Sequence, residues 1–156
     1  MSAYRSMDGR MGETALVRLC EEKMGMTLRE WVPELYRQDG KAALSSFAPV
    51  LLRAAEAGDS TALMQLREST RDMACSIRTA CGIAGSRQVV LAGSIWKNKL
   101  YRAQIYAELG QDYSLMQPDV PPVCGSVVLA WAQDGLNELD ARREKMKRNL
   151  NNMQGE

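Results

Sequence analysis

Residues 89–98, with the sequence VVLAGSIWKN, decide the fold of this chain because they change from a strand pattern to a helix pattern. The apolar, valine-rich start predicts a buried parallel strand over residues 88–92. The strand ends on Ala-Gly-Ser and passes directly into a helix predicted from about Ile95 to Leu109. Ligands of open α/β sheets bind at the carboxyl ends of the strands, so this turn is the first candidate for a binding site.

A second apolar helix opens about thirty residues later, at the sequence PPVCGS over residues 121–126. It is predicted from Val123 to about Leu139, and it is expected to be buried because residues 127–131 are apolar on nearly every side. From Asp140 the chain is strongly charged, with five basic residues among 142–148. The segment 140–156 is expected to be a solvated, frayed tail; contact with an anionic partner is the alternative.

Four further helices are predicted upstream, over residues 12–25, 27–36, 44–55 and 60–82. Pro33 is expected to break or shorten the second helix, and Pro49 to cause a kink or a restart of the third near Ser45 and Ser46. Asp59 is a candidate functional carboxylate, but it is expected to be the N-cap of the fourth helix. With a short second strand over 112–116, these elements predict a helix-rich α/β domain over 1–139, with about six helices and two short parallel strands.

Composition limits the possible functions. A net charge of +1 argues against nucleic acid or an anionic membrane as an electrostatic partner. No apolar run reaches the roughly 18 residues of a membrane span, and no signal-peptide core follows the start, so a cytoplasmic location is expected. The chain has no histidine, which excludes a Ser-His-Asp or Cys-His mechanism built from this chain alone.

The four cysteines show no CxxC pair and no zinc spacing, so no metal ligands are assigned and all four are expected to be reduced core residues. The acidic residues are scattered along helix faces, and no pair suits acid–base catalysis. A parallel sheet of two strands is a poor core by itself. We therefore expect this chain to be a piece of a larger assembly.

Residues 89–98 and 121–126, together with the helix-and-turn pattern over 47–59, resemble the BadF/BadG/BcrA/BcrD ATPase family. The N-acetylglucosamine kinases belong to that family, within the actin-like ATPase and sugar-kinase superfamily. The resemblance covers residues 6–133 and matches the C-terminal half of the family. Many members have two glycines where this chain has Gly93 and Ser94.

The resemblance implies a ribonuclease H-like fold in two halves, with ATP and Mg²⁺ in the cleft between them. It implies that Gly93 and Ser94 line the nucleotide, and that Gly125 allows close packing behind the turn. Lys97 is a further candidate that could reach a phosphate. The phosphate loop, the metal-binding acid and the catalytic base belong to the N-terminal half in this family, and none of their patterns occurs in this chain.

Each candidate also has a structural interpretation. Ser94 would serve as the N-cap of the fifth helix, with or without a nucleotide contact. Gly93 and Gly125 would be packing glycines, and Lys97 an ordinary exposed helix residue. Trp96 is expected to be a core anchor rather than a platform for a base.

Three functions follow from these interpretations. The first is the nucleotide-binding half of an ATP-dependent sugar kinase or ATPase, inactive without the missing N-terminal half or a homo-oligomer partner. The second is a stand-alone helical scaffold derived from that fold. The third is the ATPase activator of an acyl-CoA reductase, which the unpaired cysteines do not favour. A nucleotide-binding half should expose an apolar face around Gly93 and Gly125, whereas a stand-alone module should be polar there.

Overall fold

The computed structural model describes residues 2–37, 40–121 and 123–153. The helices are α1 Ser2–Met7, α2 Ala15–Met24, α3 Leu28–Arg37, α4 Gly40–Ser45, α5 Ala48–Glu56, α6 Ser60–Ala84, α7 Lys99–Leu109, α8 Val123–Gln133 and α9 Leu139–Met153. Two short strands, β1 Gln88–Val90 and β2 Ser114–Met116, pair in parallel with Val89 opposite Leu115. The prediction of a helix-rich α/β chain with two short parallel strands is therefore confirmed.

The chain divides into two compact units, whereas the sequence predicted one domain over 1–139. The first unit comprises Met1–Ser86 and Asn98–Asp112. In it, α6 packs against α5 and α7, and α2 packs against α1 and α5. Leu66 and Ile105 are fully buried in this core.

The second unit comprises Arg87–Lys97 and Tyr113–Glu156 and contains the two strands, α8 and α9. Its buried side chains are Leu91, Trp96 and Cys124. Val90 is 61% exposed, so the prediction of a buried strand is wrong at this residue. Within the described residues β1 has only β2 as a strand neighbour, and a sheet of this size leaves part of its surface uncovered.

Capping residues explain where the helices of the first unit begin and end. Gly25 ends α2 with φ 68°, and Asp59 is the N-cap of α6, as predicted for Asp59. The hydroxyl of Thr27 and the carboxylate of Glu30 form a capping box at α3. The helix continues through Pro33 to Arg37, so the predicted break is wrong. A proline removes one backbone hydrogen bond, and the exposed Pro33 ring leaves the rest of α3 intact.

Two predictions for the C-terminal region are also wrong. Residues Leu139–Met153 form a helix rather than a frayed tail, held by an ion pair between Lys147 and Asp119 and by contacts with α8. The helix α8 is not buried, since Val123 and Leu129 are 64% and 60% exposed. Its apolar composition indicated burial, but within the part of the chain described the surface that would cover it is not present.

The cysteines are free thiols. Cys124 is buried, Cys20 and Cys81 are half-buried, and Cys75 is exposed, so only one of the four lies in a core as predicted. Burial raises the pKa of the Cys20 thiol. No helix among the described residues combines the length and the apolar character that crossing a bilayer requires.

Candidate functional site

A cavity of about 430 Å³ lies at the carboxyl ends of the two parallel strands, inside the second unit. Gly93, Ser94 and Lys97 line one side of it, and Gln117 and Asp119 line the other. Three of the four residues predicted to bind the cofactor are therefore brought together. They follow β1, and the residues opposite them follow β2, as expected where parallel strands end at one edge of a sheet.

The fourth predicted residue, Gly125, lines a neighbouring cavity of about 380 Å³ together with Val90 and Cys124. The two cavities share three lining residues, Pro118, Val120 and Pro121. A Cβ atom built on Gly125 would meet nothing within 4 Å. The expectation that Gly125 allows close packing is therefore wrong for the part of the chain described.

Hydrogen bonds between the two strand ends hold the site together. The amide of Leu91 donates to the carbonyl of Met116 at 2.7 Å, which extends the pairing one residue past β1. The side-chain Nε2 of Gln117 donates to the carbonyl of Trp96 at 2.9 Å. This bond ties the segment after β2 to the 3-10 turn Ser94–Lys97 that follows β1.

Gly93 is required by its backbone conformation. Its φ of 119° is one that residues with a side chain rarely adopt, although a Cβ atom there would meet no other atom within 4 Å. The requirement is therefore conformational and not a matter of space for a side chain.

The helix that follows β1 is capped by Asn98 and not by Ser94. The helix predicted from Ile95 begins as the 3-10 turn, and α7 starts only at Lys99. Its N-cap is Asn98, whose Oδ1 accepts from the amide of Tyr101 at 2.9 Å. Ser94 is exposed and lines the cavity instead, so its predicted capping of this helix is wrong.

Trp96 and Lys97 point to different environments. Trp96 is buried, which confirms its interpretation as a core anchor. Lys97 is exposed and brings a positive charge to the cavity. Successive residues of a 3-10 turn project about 120° apart, so Trp96 can be buried while Lys97 lines the cavity.

Asp119 is a site residue that sequence reasoning missed. Its carboxylate pairs with the ammonium of Lys147 on α9. The hydrogen bond from Lys147, assisted by the charges of Lys147 and Arg143, holds the pKa of Asp119 below its usual range. The same bond raises the pKa of Lys147. No sequence pattern indicated this ion pair, because Asp119 and Lys147 are far apart in the sequence and lie on separate elements.

The side chains that line the cavity are better suited to binding a ligand than to acid–base catalysis. Among the described residues that line the cavity, Lys97 and Asp119 are the charged ones. No group of three side chains able to hold a metal ion occurs in the described ranges. A cation, a hydroxyl and an amide beside exposed backbone can hold a polar, anionic ligand, but they do not form an acid–base pair.

Comparisons with known proteins leave the family open. No protein-family model matches the chain, and no curated protein shows significant similarity to it. The resemblance of residues 6–133 to the BadF/BadG/BcrA/BcrD ATPases therefore stays an expectation drawn from the sequence.

Proposed function

We propose that this chain is the C-terminal, nucleotide-binding half of an ATP-dependent sugar kinase or ATPase with a ribonuclease H-like fold. The reaction of the intact protein would transfer a phosphoryl group from ATP to a sugar hydroxyl. One observation carries the proposal: Gly93, Ser94 and Lys97, chosen from the sequence, line one cavity at the carboxyl ends of two parallel strands. This is the position at which open α/β folds bind nucleotides.

Each of the three residues has a distinct part in the proposal. Gly93 keeps the backbone open to the ligand, since it has no side chain at a turn with φ 119°. Ser94 offers a hydroxyl to the ribose or the α-phosphate, and the ammonium of Lys97 balances phosphate charge. Gly125 lies in the neighbouring cavity and is assigned a weaker part beside the nucleotide.

Exposed apolar side chains in the second unit favour a half-cleft over a stand-alone module. Val90 of β1, Met116 of β2 and Val123 of α8 are all exposed. A module that works alone is expected to be polar there, whereas a missing half would cover these side chains. Phosphoryl transfer needs the phosphates and the metal held from both sides, so this chain by itself would bind nucleotide without turnover.

The residues present fit ATP better than they fit Mg²⁺. Magnesium in such sites is bound by one or two carboxylates together with substrate phosphates. Asp119 is the carboxylate of the described cavity lining, and it is already paired with Lys147. We therefore assign the metal-binding acid to the partner half and derive no step through the metal from this chain. The activator of an acyl-CoA reductase gains no support, because the four free thiols do not form a cluster in the described residues.

Isothermal titration calorimetry with Mg·ATP and Mg·ADP tests the proposal. We expect the wild-type chain to bind with a Kd of about 1 mM or lower. Lys97→Ala should raise this Kd roughly tenfold, because it removes a charge-assisted contact with phosphate. Lys99→Ala is the matched control: it removes an exposed lysine that does not line the cavity, and it should leave the Kd unchanged. Equal effects of the two substitutions, or no binding to the wild-type chain, would overturn the proposal.

Gly93→Val is a poor substitute for this test. The φ of 119° means that valine would strain the turn whether or not a nucleotide binds there. A loss of binding in that variant would not separate a contact from a distorted backbone. Lys97→Ala avoids this difficulty because the lysine is exposed and its removal leaves the turn unchanged.

A further inference from the structure

The helices α8 and α9 form a further concave surface, whose lining residues the nucleotide proposal does not use. It is a groove of about 420 Å³ within the second unit, called here the α8–α9 groove. Its lining residues are Val127, Trp131, Arg142, Lys145, Met146, Asn149 and Leu150.

The groove has an apolar floor. Val127 and Trp131 lie one turn apart on α8, and Met146 and Leu150 lie one turn apart on α9. Val127 is exposed and the other three are half-buried, so all four side chains remain partly accessible. Partly accessible apolar side chains on two adjacent helices form the kind of surface that an amphipathic helix covers.

The edge of the groove is basic. Arg142 and Lys145 lie on the same face of α9 as Met146, since the spacings of three and four residues place them in one row. Within the described part of the chain neither side chain makes an ion pair; the guanidinium of Arg142 donates to the backbone carbonyl of Asn137, at 3.3 Å. Lys147, on another side of α9, is by contrast already neutralised by Asp119.

We propose that the α8–α9 groove binds an acidic amphipathic α-helix of a partner protein. Apolar residues of that helix would cover Trp131 and Met146, and its Asp or Glu side chains would pair with Arg142 and Lys145. The concave shape favours a helix over a flat lipid surface, and the uncompensated positive edge selects an acidic partner.

The size of the groove sets the expected footprint. On α9 the lining residues run from Arg142 to Leu150, which is about 12 Å along the helix axis, or two turns. The partner is therefore expected to use apolar residues at positions i, i+3 or i+4, and i+7, with acidic residues flanking them. A designed peptide with this pattern of apolar and acidic residues can therefore stand in for the partner helix.

The test uses the full chain and a fluorescein-labelled peptide of about 15 residues, because shorter isolated helices are only marginally formed in water. The peptide carries leucine at i, i+3, i+7 and i+10 and glutamate beside them. We expect fluorescence anisotropy to show a Kd in the micromolar range that rises with salt. A peptide with lysine in place of each glutamate should not bind.

Matched variants on α9 locate the contact. Lys145→Glu should raise the peptide Kd at least tenfold. Arg148→Glu makes the same change in net charge on an exposed residue outside the groove, and it should have a small effect. Trp131→Ala should also raise the Kd at least tenfold, and circular dichroism should show unchanged helix content in all three variants.

Several results would overturn the proposal. One is the absence of peptide binding, and another is an equal effect of Lys145→Glu and Arg148→Glu, which would indicate unspecific attraction. Binding to vesicles of phosphatidylserine and phosphatidylcholine, without binding to the peptide, would assign the surface to lipid. Concentration-dependent dimerisation that Trp131→Ala abolishes would assign the groove to a second copy of the chain.

Discussion

Two glycines beside the candidate site are present for different physical reasons. Gly93 has φ 119°, in the region that residues with a side chain rarely adopt. Gly125 lies in α8 with ordinary helical backbone and open space around the place of a Cβ atom. Of these two glycines, therefore, Gly93 is the one that the backbone conformation requires.

This difference predicts opposite effects of one substitution. Gly93→Ala should cost about 1–3 kcal/mol of unfolding free energy, because alanine is strained at this φ. Gly125→Ala should raise the free energy of unfolding by up to about 1 kcal/mol, because alanine favours the helix. Urea denaturation followed by circular dichroism measures both. A stabilising Gly93→Ala would show that the turn at this residue is not as described.

The sequence could predict the grouping of Gly93, Ser94 and Lys97, because they lie within five residues of one another in the segment that follows a strand. It could not separate Ser94 from Asn98 as the helix cap, since both residue types cap helices and a 3-10 turn precedes α7. The pairing of Asp119 with Lys147 depends on the placement of α9, which local patterns do not encode.

At the scale of elements, the carboxylate of Asp59 forms hydrogen bonds with the N-termini of two helices of the first unit. Asp59 accepts from the amide of Ala62 at 2.8 Å, which caps α6. It also accepts from the amide of Ala15 at 2.7 Å and from the hydroxyl of Thr14 at 2.8 Å, at the start of α2. Asp59 therefore joins two helix N-termini that lie far apart in the sequence.

Substitution of Asp59 should reveal this double role. Asp59→Ala should cost about 2 kcal/mol of unfolding free energy, since a single lost cap costs about 0.5–2 kcal/mol. Asp59→Asn should cost less, because an amide keeps one acceptor oxygen and can still cap one helix. Ser60→Ala, at the neighbouring exposed residue, is the control and should change stability little. If Ser60→Ala were as costly as Asp59→Ala, the cap would be misassigned.

The contribution of Asp59 should depend on pH. Burial raises its pKa, but the hydrogen bonds from Ala62, Ala15, Thr14 and Thr61 outweigh burial and hold the pKa below the usual range. A carboxyl with a lowered pKa in the folded state stabilises the fold above its unfolded pKa of about 3.9. That stabilisation is lost as the pH falls through the folded pKa. The difference in unfolding free energy between wild type and Asp59→Asn should therefore shrink below about pH 4; a constant difference from pH 7 to pH 2 would contradict this.

Helix ends were the most predictable feature at this scale, because Gly25, Asp59 and the Thr27–Glu30 box act locally. Burial was less predictable. An apolar pattern such as that of α8 shows that a surface should be covered, but it does not show which chain covers it. The helix α9 could not be predicted from its charged composition, because an ion pair and contacts with α8 stabilise it.

At the scale of the whole molecule, the second unit exposes apolar side chains both on its small sheet and on α8. Val90 and Leu129 of the second unit are 61% and 60% exposed. Exposed apolar surface of this kind promotes association between copies when its natural cover is absent. In the proposed function, the partner half of the protein would cover these side chains.

Self-association of the isolated chain should therefore depend on these side chains. Val90→Glu combined with Leu129→Glu should lower the weight-average mass seen by sedimentation velocity at high protein concentration, with circular dichroism unchanged. Leu44→Glu in the first unit is the control, since Leu44 is 54% exposed but lies outside this surface. A chain that stays monomeric at every concentration, or an equal effect of Leu44→Glu, would contradict the prediction.

The most direct measurement of the central claim is a titration of the ¹⁵N-labelled chain with Mg·ATP, followed by amide chemical shifts. The proposed nucleotide site predicts saturable shifts at Gly93, Ser94, Lys97 and Asp119, and in Lys97→Ala these shifts should need a nucleotide concentration roughly tenfold higher. Shifts confined to the basic face of α9 around Arg142 and Lys145 would show unspecific anion binding instead. That result, or the absence of shifts at millimolar nucleotide, would contradict a nucleotide-binding half.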